Sequence, residues 1–231
     1  MESNITIGFI CSTNGSTLKA TWNIIKSCFP DIKFVVVSDR ECGAIDWCNE
    51  VGIQNRIFTY ESSAKFSERA HEFLVIRCKV KAVLLLFTKI VGPELYNRCI
   101  CLNIHPSLLP SFSGLNAFQK TMRSGCRFFG TTLHIVTKEI DKGPILAQTI
   151  SPTNLSIPLR KQNSISFAQK VYLTLLGIEK LLNPDCYNGC NFPNLFLGEA
   201  SAYANPLITS PDILKNFQSF VDHHSINWPM K

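Results

Sequence analysis

The middle of the chain reads Ile100-Cys101-Leu102-Asn103-Ile104-His105-Pro106-Ser107-Leu108-Leu109-Pro110. Its short aliphatic run is typical of a buried strand in a parallel sheet. Residues i and i+2 of a strand face the same side, so Asn103 and His105 point together while Ile104 packs inward. Pro106 has no N–H and keeps the preceding residue extended, so it ends the strand and holds His105 at its carboxyl end. Ligands of open α/β sheets bind at that end, so the stretch predicts both a central strand and a candidate site.

Strand-like and helix-like segments alternate on the amino-terminal side of this stretch. Short β-branched or aliphatic runs occupy residues 5–10, 34–37 and 82–87, and residues 17–28, 44–51 and 67–79 have helical length without internal proline. This alternation predicts an α/β fold with a doubly wound, mostly parallel sheet.

The carboxyl-terminal side is organised differently. Residues 131–136 and 145–150 could pair as strands, residues 117–123 and 166–182 favour helices, and a last helix is expected from Pro211, capped by Ser210, to about residue 221. The stretch after 182 is rich in Asn, Pro and Gly and makes a poor core of its own. We therefore expect a catalytic domain over residues 1–182 and a short helical extension, 183–231, packed on it.

Composition narrows the functional classes. The 231 residues carry a net charge of +6, but the basic residues are scattered, which argues against a nucleic-acid partner. No apolar run reaches the ~18 residues that a membrane span needs, and no secretory leader is visible. The ten cysteines lie largely in apolar runs, as reduced thiols do. We expect a cytoplasmic protein without a metal, in which Cys186 and Cys190 form an ordinary loop because no second ligand pair follows.

Two further segments carry polar chemistry. The first joins the first strand to the first helix and contains Asn14-Gly15-Ser16-Thr17. Gly15 would let an anion approach the helix N-terminus, with Ser16 or Thr17 as the cap, although an ordinary capped turn fits the segment equally well. The second contains His134 and Asp141, and an Asp in a tight loop entering a strand can orient an imidazole and keep it charged.

Taken together, these segments resemble the folate-dependent formyltransferase family. The residues that carry the resemblance, in order, are Asn103, His105-Pro106-Ser107-Leu108-Leu109-Pro110, Gly114, Gly130, His134, Asp141 and Gly143-Pro144-Ile145. The similarity extends more weakly over about residues 5–182. It implies a formyltransferase-like Rossmann-type fold and an enzyme that uses 10-formyltetrahydrofolate as cosubstrate.

The resemblance also implies roles for individual residues. Asn103, His105 and Asp141 correspond to the family's catalytic residues, with the Asn103 amide and a protonated His105 holding the oxyanion, and His134 supports them. The pterin would contact Thr88, Lys89, Ile90 and Val91 on one side and Lys138, Glu139 and Ile140 on the other. A phosphate of the acceptor would bind at Gly15, Ser16 and Thr17.

The acceptor itself stays open. The resemblance implies a primary amine on a phosphorylated small molecule, with glycinamide ribonucleotide of purine biosynthesis as first candidate and a nucleotide-linked amino sugar as the alternative. Three departures from the family pattern bear on this: Thr17 stands where an Asn is usual, Lys170 where a Glu is used near the substrate, and Asn116 where a His is frequent. Formylation of methionyl-tRNA and a folate-binding protein without turnover are less favoured, and a homodimer is one option for the oligomeric state.

Overall fold

The computed structural model describes residues 5–154, 156–183 and 203–224. An eight-stranded sheet forms its centre, in the order β3-β2-β1-β4-β5-β6-β7-β8. The strands are β1 Thr6–Cys11, β2 Lys33–Ser38, β3 Gln54–Ile57, β4 Val83–Leu86, β5 Cys101–His105, β6 Phe128–Ile135, β7 Ile145–Pro152 and β8 Tyr203–Asn205. The first five in this order are parallel and the last three antiparallel, which confirms the predicted fold class.

Seven α-helices accompany the sheet in the described residues. They are α1 Ser16–Cys28, α2 Gly43–Val51, α3 Ser63–His71, α4 Pro93–Tyr96, α5 Ala117–Arg123, α6 Leu159–Leu182 and α7 Pro211–His223, and a π-helical segment, Glu72–Arg77, continues α3. The predicted helices over residues 67–79 and 166–182 both begin too late, because the first turns of α3 and α6 are polar and lack an apolar periodicity. The short elements β3, α4 and β8 were not predicted.

Helices cover both faces of the sheet, so the central strands are buried on each side. On β1, Ile7 and Phe9 join the core beneath α1, α2, α6 and α7, whereas Ile10 joins a second core beneath α3. Alternate residues of β2 divide between the two cores in the same way. This two-sided burial explains why the central parallel strands are continuous apolar runs in the sequence.

The described part of the predicted extension lies against the rest of the chain. β8 pairs with β7, and Phe217 of α7 packs edge-on against Tyr172 of α6, with ring centroids 5.3 Å apart. The buried Glu179 carboxylate accepts hydrogen bonds from the backbone N–H groups of Thr209 and Ser210 just before α7. Ser210 caps α7 as predicted, by accepting from the Ile213 N–H. The division into residues 1–182 and 183–231 stays a prediction, and Cys186 and Cys190 lie outside the described residues.

Candidate active site

Asn103 and His105 lie at the carboxyl end of β5, as the position of Pro106 indicates. β6 runs antiparallel beside β5, in a register that sets His134 opposite Asn103 and Thr132 opposite His105. The ladder between β6 and β7 is irregular at Leu133 and His134. Two neighbouring strands therefore bring an amide and two imidazoles together.

Asp141 reaches this group because the loop between β6 and β7 folds back over the sheet. Asp141 has a left-handed backbone, with φ of 55°. A Cβ at Gly143 would collide with the Ile135 carbonyl oxygen, so only glycine permits this close return of the loop.

The Asp141 carboxylate is the centre of the cluster. Oδ2 accepts from the Gly114 N–H at 2.7 Å and lies 3.4 Å from His105 Nδ1, while Oδ1 accepts from Asn103 Nδ2 at 3.4 Å and lies 3.6 Å from His134 Nε2. Burial raises the pKa of Asp141, but the hydrogen bond from the Gly114 N–H and the charge of His105 outweigh it, so the pKa falls below its usual value. Asp141 is thus an ionised carboxylate with four polar neighbours.

His105 faces an acceptor at each ring nitrogen. Nδ1 faces Asp141, and Nε2 lies 3.0 Å from the Phe112 carbonyl oxygen. Each ring nitrogen can donate to the acceptor that it faces only when it carries a hydrogen. The Phe112 carbonyl oxygen occupies the position that a substrate oxygen would need in order to accept a hydrogen bond from Nε2.

Asn103 also directs its donor inward. Its Nδ2 lies 3.1 Å from His134 Nε2, in addition to the contact with Asp141. His134 Nδ1 is 3.0 Å from the Ile135 carbonyl oxygen, so a neutral ring that donates there accepts at Nε2 from the amide. Stabilisation of an oxyanion by the Asn103 amide therefore requires that one of these two contacts be given up.

A cavity of about 330 Å³ opens beside Asp141. Its lining consists of Leu109, Pro110, Ser113, Asp141, Lys142, Gly143 and Ile145. A larger, mostly apolar cavity of about 570 Å³ lies towards the amino end of β5, around Ile100, Cys101 and Ile135, and contains none of the predicted site residues. Of these two cavities, the smaller one borders the polar cluster.

The predicted anion loop opens α1 differently from the expectation. Gly15 itself occupies the N-cap position with φ of 67°, and no side chain caps the helix, so the expected cap by Ser16 or Thr17 is wrong. A Cβ at Gly15 would lie 2.7 Å from the Ala44 Cβ, which explains the glycine. Ser16 is exposed and Thr17 is buried. The first N–H groups of α1 are left without a side-chain acceptor, as an anion site requires.

The two segments expected to contact a pterin lie on opposite sides of β5. One follows β4, and the other belongs to the loop between β6 and β7. Thr88, Lys89, Ile90 and Val91 follow β4, where the Thr88 N–H donates to Ser12 Oγ at 3.4 Å. Lys138, Glu139 and Ile140 are exposed residues that lead directly into Asp141. The sequence did not predict that the Gly114 N–H donates to Asp141. It also gave no attention to Asp39, a charged residue directly after the buried strand β2.

Two features are absent from the described residues. These residues contain no group of three or more His, Cys, Asp or Glu side chains that could hold a metal ion. None of the described helices has the length and apolar composition to cross a membrane.

Comparison with known proteins defines the class. The model of a family described as formyl transferase matches residues 6–155, which is more than half of the chain. The protein therefore belongs to the formyl transferase family.

The relatives with similar sequences carry names from purine biosynthesis. The chain is 29% identical over 150 residues to phosphoribosylglycinamide formyltransferase of Mycobacterium tuberculosis, covering 62% of this chain and 69% of that protein. It is 43% identical over 72 residues to the Haemophilus influenzae protein of the same name, covering 30% and 34%. It is 28% identical over 160 residues to the trifunctional purine biosynthetic protein adenosine-3 of Gallus gallus, covering 66% of this chain but only 16% of that one. The chain thus spans a minor part of some of its relatives.

Solved structures agree with the fold. Glycinamide ribonucleotide transformylase 1 from Symbiobacterium toebii superimposes with a TM-score of 0.66 at 28% identity, over 77% of this chain and 87% of that one. Phosphoribosylglycinamide formyltransferase from Streptococcus pneumoniae gives 0.67 at 26% identity, over 77% and 99%.

Proposed function

We propose that the protein transfers a formyl group from 10-formyltetrahydrofolate to a primary amine on a phosphorylated small molecule, with glycinamide ribonucleotide as first candidate. The observation that carries this proposal is the Asp141 carboxylate, which touches both His105 and Asn103 beside an open cavity. Family membership and the names of the relatives support the same reaction.

The reaction needs a stabilised oxyanion and two proton movements. The amine nitrogen attacks the formyl carbon, the bond from that carbon to N10 breaks, the amine loses a proton and N10 gains one. A positively charged His105 would stabilise the oxyanion by donating from Nε2, once this nitrogen has left the Phe112 carbonyl. Asp141 keeps the imidazole charged and oriented, and it serves, directly or through water, in passing the proton towards N10.

Asn103 has two ways to contribute. As it stands, Nδ2 donates to His134 and Asp141, and the amide oxygen is free to accept a hydrogen from the incoming amine. If Nδ2 releases one of these partners, it can join His105 in binding the oxyanion. His134 supports either role, because it fixes the amide through Nε2.

The formyl donor would bind along the segments 88–91 and 138–140. The N–H and carbonyl groups of Lys89 and the N–H of Ile90 form no hydrogen bond with other described residues, so they can pair with a heterocycle. The exposed side chains of Ile90 and Ile140 offer apolar surface to the same ring.

The phosphate of the acceptor would bind at the N-terminus of α1, around Gly15, Ser16 and Thr17. Backbone N–H groups and the helix dipole favour an anion there. α6 packs against α1 and carries Lys170, a half-buried side chain whose ammonium has no ion pair among the described residues.

Lys170 favours a second candidate acceptor. The resemblance implies a glutamate in its place, and a cation there would suit an additional phosphate. A nucleotide-linked amino sugar carries two phosphates, so its amine is the alternative acceptor.

The cytoplasmic location is also part of this proposal.

The test is a direct assay of both acceptors. Purified protein is incubated with 10-formyltetrahydrofolate and either glycinamide ribonucleotide or a nucleotide-linked 4-amino sugar, and the formylated product is measured by mass spectrometry. Asp141→Asn is the inactive variant, and Asp31→Asn, in an exposed turn before β2, is the matched control. Product from only the amino sugar would overturn the first candidate, and no product from either amine would overturn the reaction.

A further inference from the structure

Asp39 is a buried carboxylate at the edge of the sheet where the parallel strands have their carboxyl ends, and it lies outside the cluster around Asp141. It directly follows β2, and its side chain is only 1% exposed. Oδ2 lies 2.6 Å from Arg40 Nη2 and 2.9 Å from Lys89 Nζ, and Oδ1 accepts from Arg40 Nε at 3.1 Å. Burial raises the pKa of Asp39, but hydrogen bonds and charge from Arg40 and Lys89 outweigh it, so the group is ionised and paired.

Of its two partners, Lys89 connects distant parts of the sheet. Lys89 follows β4, and β1 lies between β2 and β4 in the sheet. The contact from Asp39 to Lys89 therefore spans the carboxyl end of β1. It fixes the segment after β4 to the end of a strand that is not its neighbour.

Tyr60 completes the attachment of this segment. Lys89 Nζ lies 4.3 Å from the centroid of the Tyr60 ring, and the Tyr60 hydroxyl donates to the Ile90 carbonyl oxygen at 2.9 Å. The ring packs in turn against Phe66 and Phe87, with centroids 5.5 and 6.2 Å away. One buried carboxylate and one aromatic ring thus hold two successive residues of the segment.

We propose that Asp39 is a positioning residue for the formyl donor, acting through Lys89. With Tyr60, it holds residues 88–91 in the shape that receives the heterocycle of the donor. The inference rests on the proposed function, in which these residues contact the pterin. Asp39 itself is buried and contacts Lys89, so its loss should change donor affinity and leave the acceptor's binding largely unchanged.

The experiment compares Asp39→Asn, Lys89→Met and the double variant with the wild type. The dissociation constant of tetrahydrofolate is measured by calorimetry, and the KM values of 10-formyltetrahydrofolate and of the acceptor by assay. Lys89→Arg keeps the cation and is the conservative variant. Glu72→Gln is the matched control, because it breaks an exposed pair with Arg77 at 3.2 Å on the π-helical segment.

Each single variant should weaken tetrahydrofolate binding about tenfold. The double variant should be no weaker than either single variant, because both remove one interaction. Lys89→Arg should bind nearly as the wild type does, and the acceptor KM should change less than about twofold.

Two results would overturn the inference alone. One is wild-type affinity for tetrahydrofolate in both single variants. The other is an equal rise in the KM values of donor and acceptor with a lower melting temperature, since that would show a general structural role. A wild-type protein that does not bind tetrahydrofolate would overturn the proposed function, and this inference with it.

Discussion

The Asp141 carboxylate lies 3.4 Å from His105 Nδ1, although the two residues come from different segments of the chain. Asp141 also accepts a hydrogen bond from the Gly114 N–H. Gly114 belongs to the same loop as Phe112, whose carbonyl oxygen faces the other ring nitrogen of His105. The carboxylate therefore holds the imidazole on one side and the loop that covers it on the other.

Replacement of Asp141 by Asn should separate catalysis from folding. The asparagine keeps an oxygen for the Gly114 N–H but loses the negative charge that faces His105 Nδ1. We expect turnover to fall by about 10²–10⁴-fold while circular dichroism and a cooperative melting transition show an intact fold. The steady-state rate is measured beside Asp31→Asn. Near-normal turnover would show that Asp141 is only a turn residue.

The stability of the protein should depend on Asp141 in acid. The folded-state pKa of Asp141 lies below the ordinary 3.8, so its contribution to the free energy of unfolding is fully present above that value and is lost as the pH falls through the lower folded-state pKa. Urea unfolding of the wild type and Asp141→Asn should show a difference in the free energy of unfolding near pH 5 that shrinks below about pH 4. A difference that grows in acid would contradict this sign.

How far the sequence predicted the site depends on the range of the interactions. The position of His105 followed from Pro106 and strand geometry, which are local. The inward contacts of Asn103 were not predictable, because they depend on the strand register that sets His134 opposite it and on the folding back of a later loop.

The same distinction applies to the fold. The central strands were predictable because burial on both faces makes them continuous apolar runs. β3 was not, since Gln54–Ile57 is a partly exposed edge strand with polar residues. The cap of α1 was assigned to Ser16 or Thr17 from residue type, whereas the left-handed backbone and the neighbouring Ala44 require Gly15 itself at that position.

A negative charge at the start of α1 should test the proposed phosphate site. Gly15 is unsuitable for this test, because any side chain there is strained at its positive φ and meets Ala44. Ser16 is exposed in the first turn, so Ser16→Asp should stabilise the helix by about 0.3–1 kcal/mol through the dipole. The same charge should repel a phosphate and raise the acceptor KM strongly, without changing tetrahydrofolate affinity. Ser16→Asn is the neutral control, and an unchanged acceptor KM in Ser16→Asp would place the phosphate elsewhere.

Lys170 should show opposite effects on stability and on ligand binding. Burial lowers the pKa of its ammonium below the ordinary 10.5, so folding disfavours the protonated form and stability rises with pH up to that value. Lys170→Met removes this cost, and the variant should melt at a higher temperature than the wild type at pH 7. The advantage should decrease as the pH approaches 10.

If Lys170 faces an acceptor phosphate, glycinamide ribonucleotide or the nucleotide-linked amino sugar should raise the melting temperature of the wild type more than that of Lys170→Met. The acceptor that gives the larger difference between the two proteins is the one whose phosphate Lys170 serves. Equal shifts for both proteins with both ligands would show that Lys170 is a buried cation outside the acceptor site, and would remove the observation that favours the amino sugar.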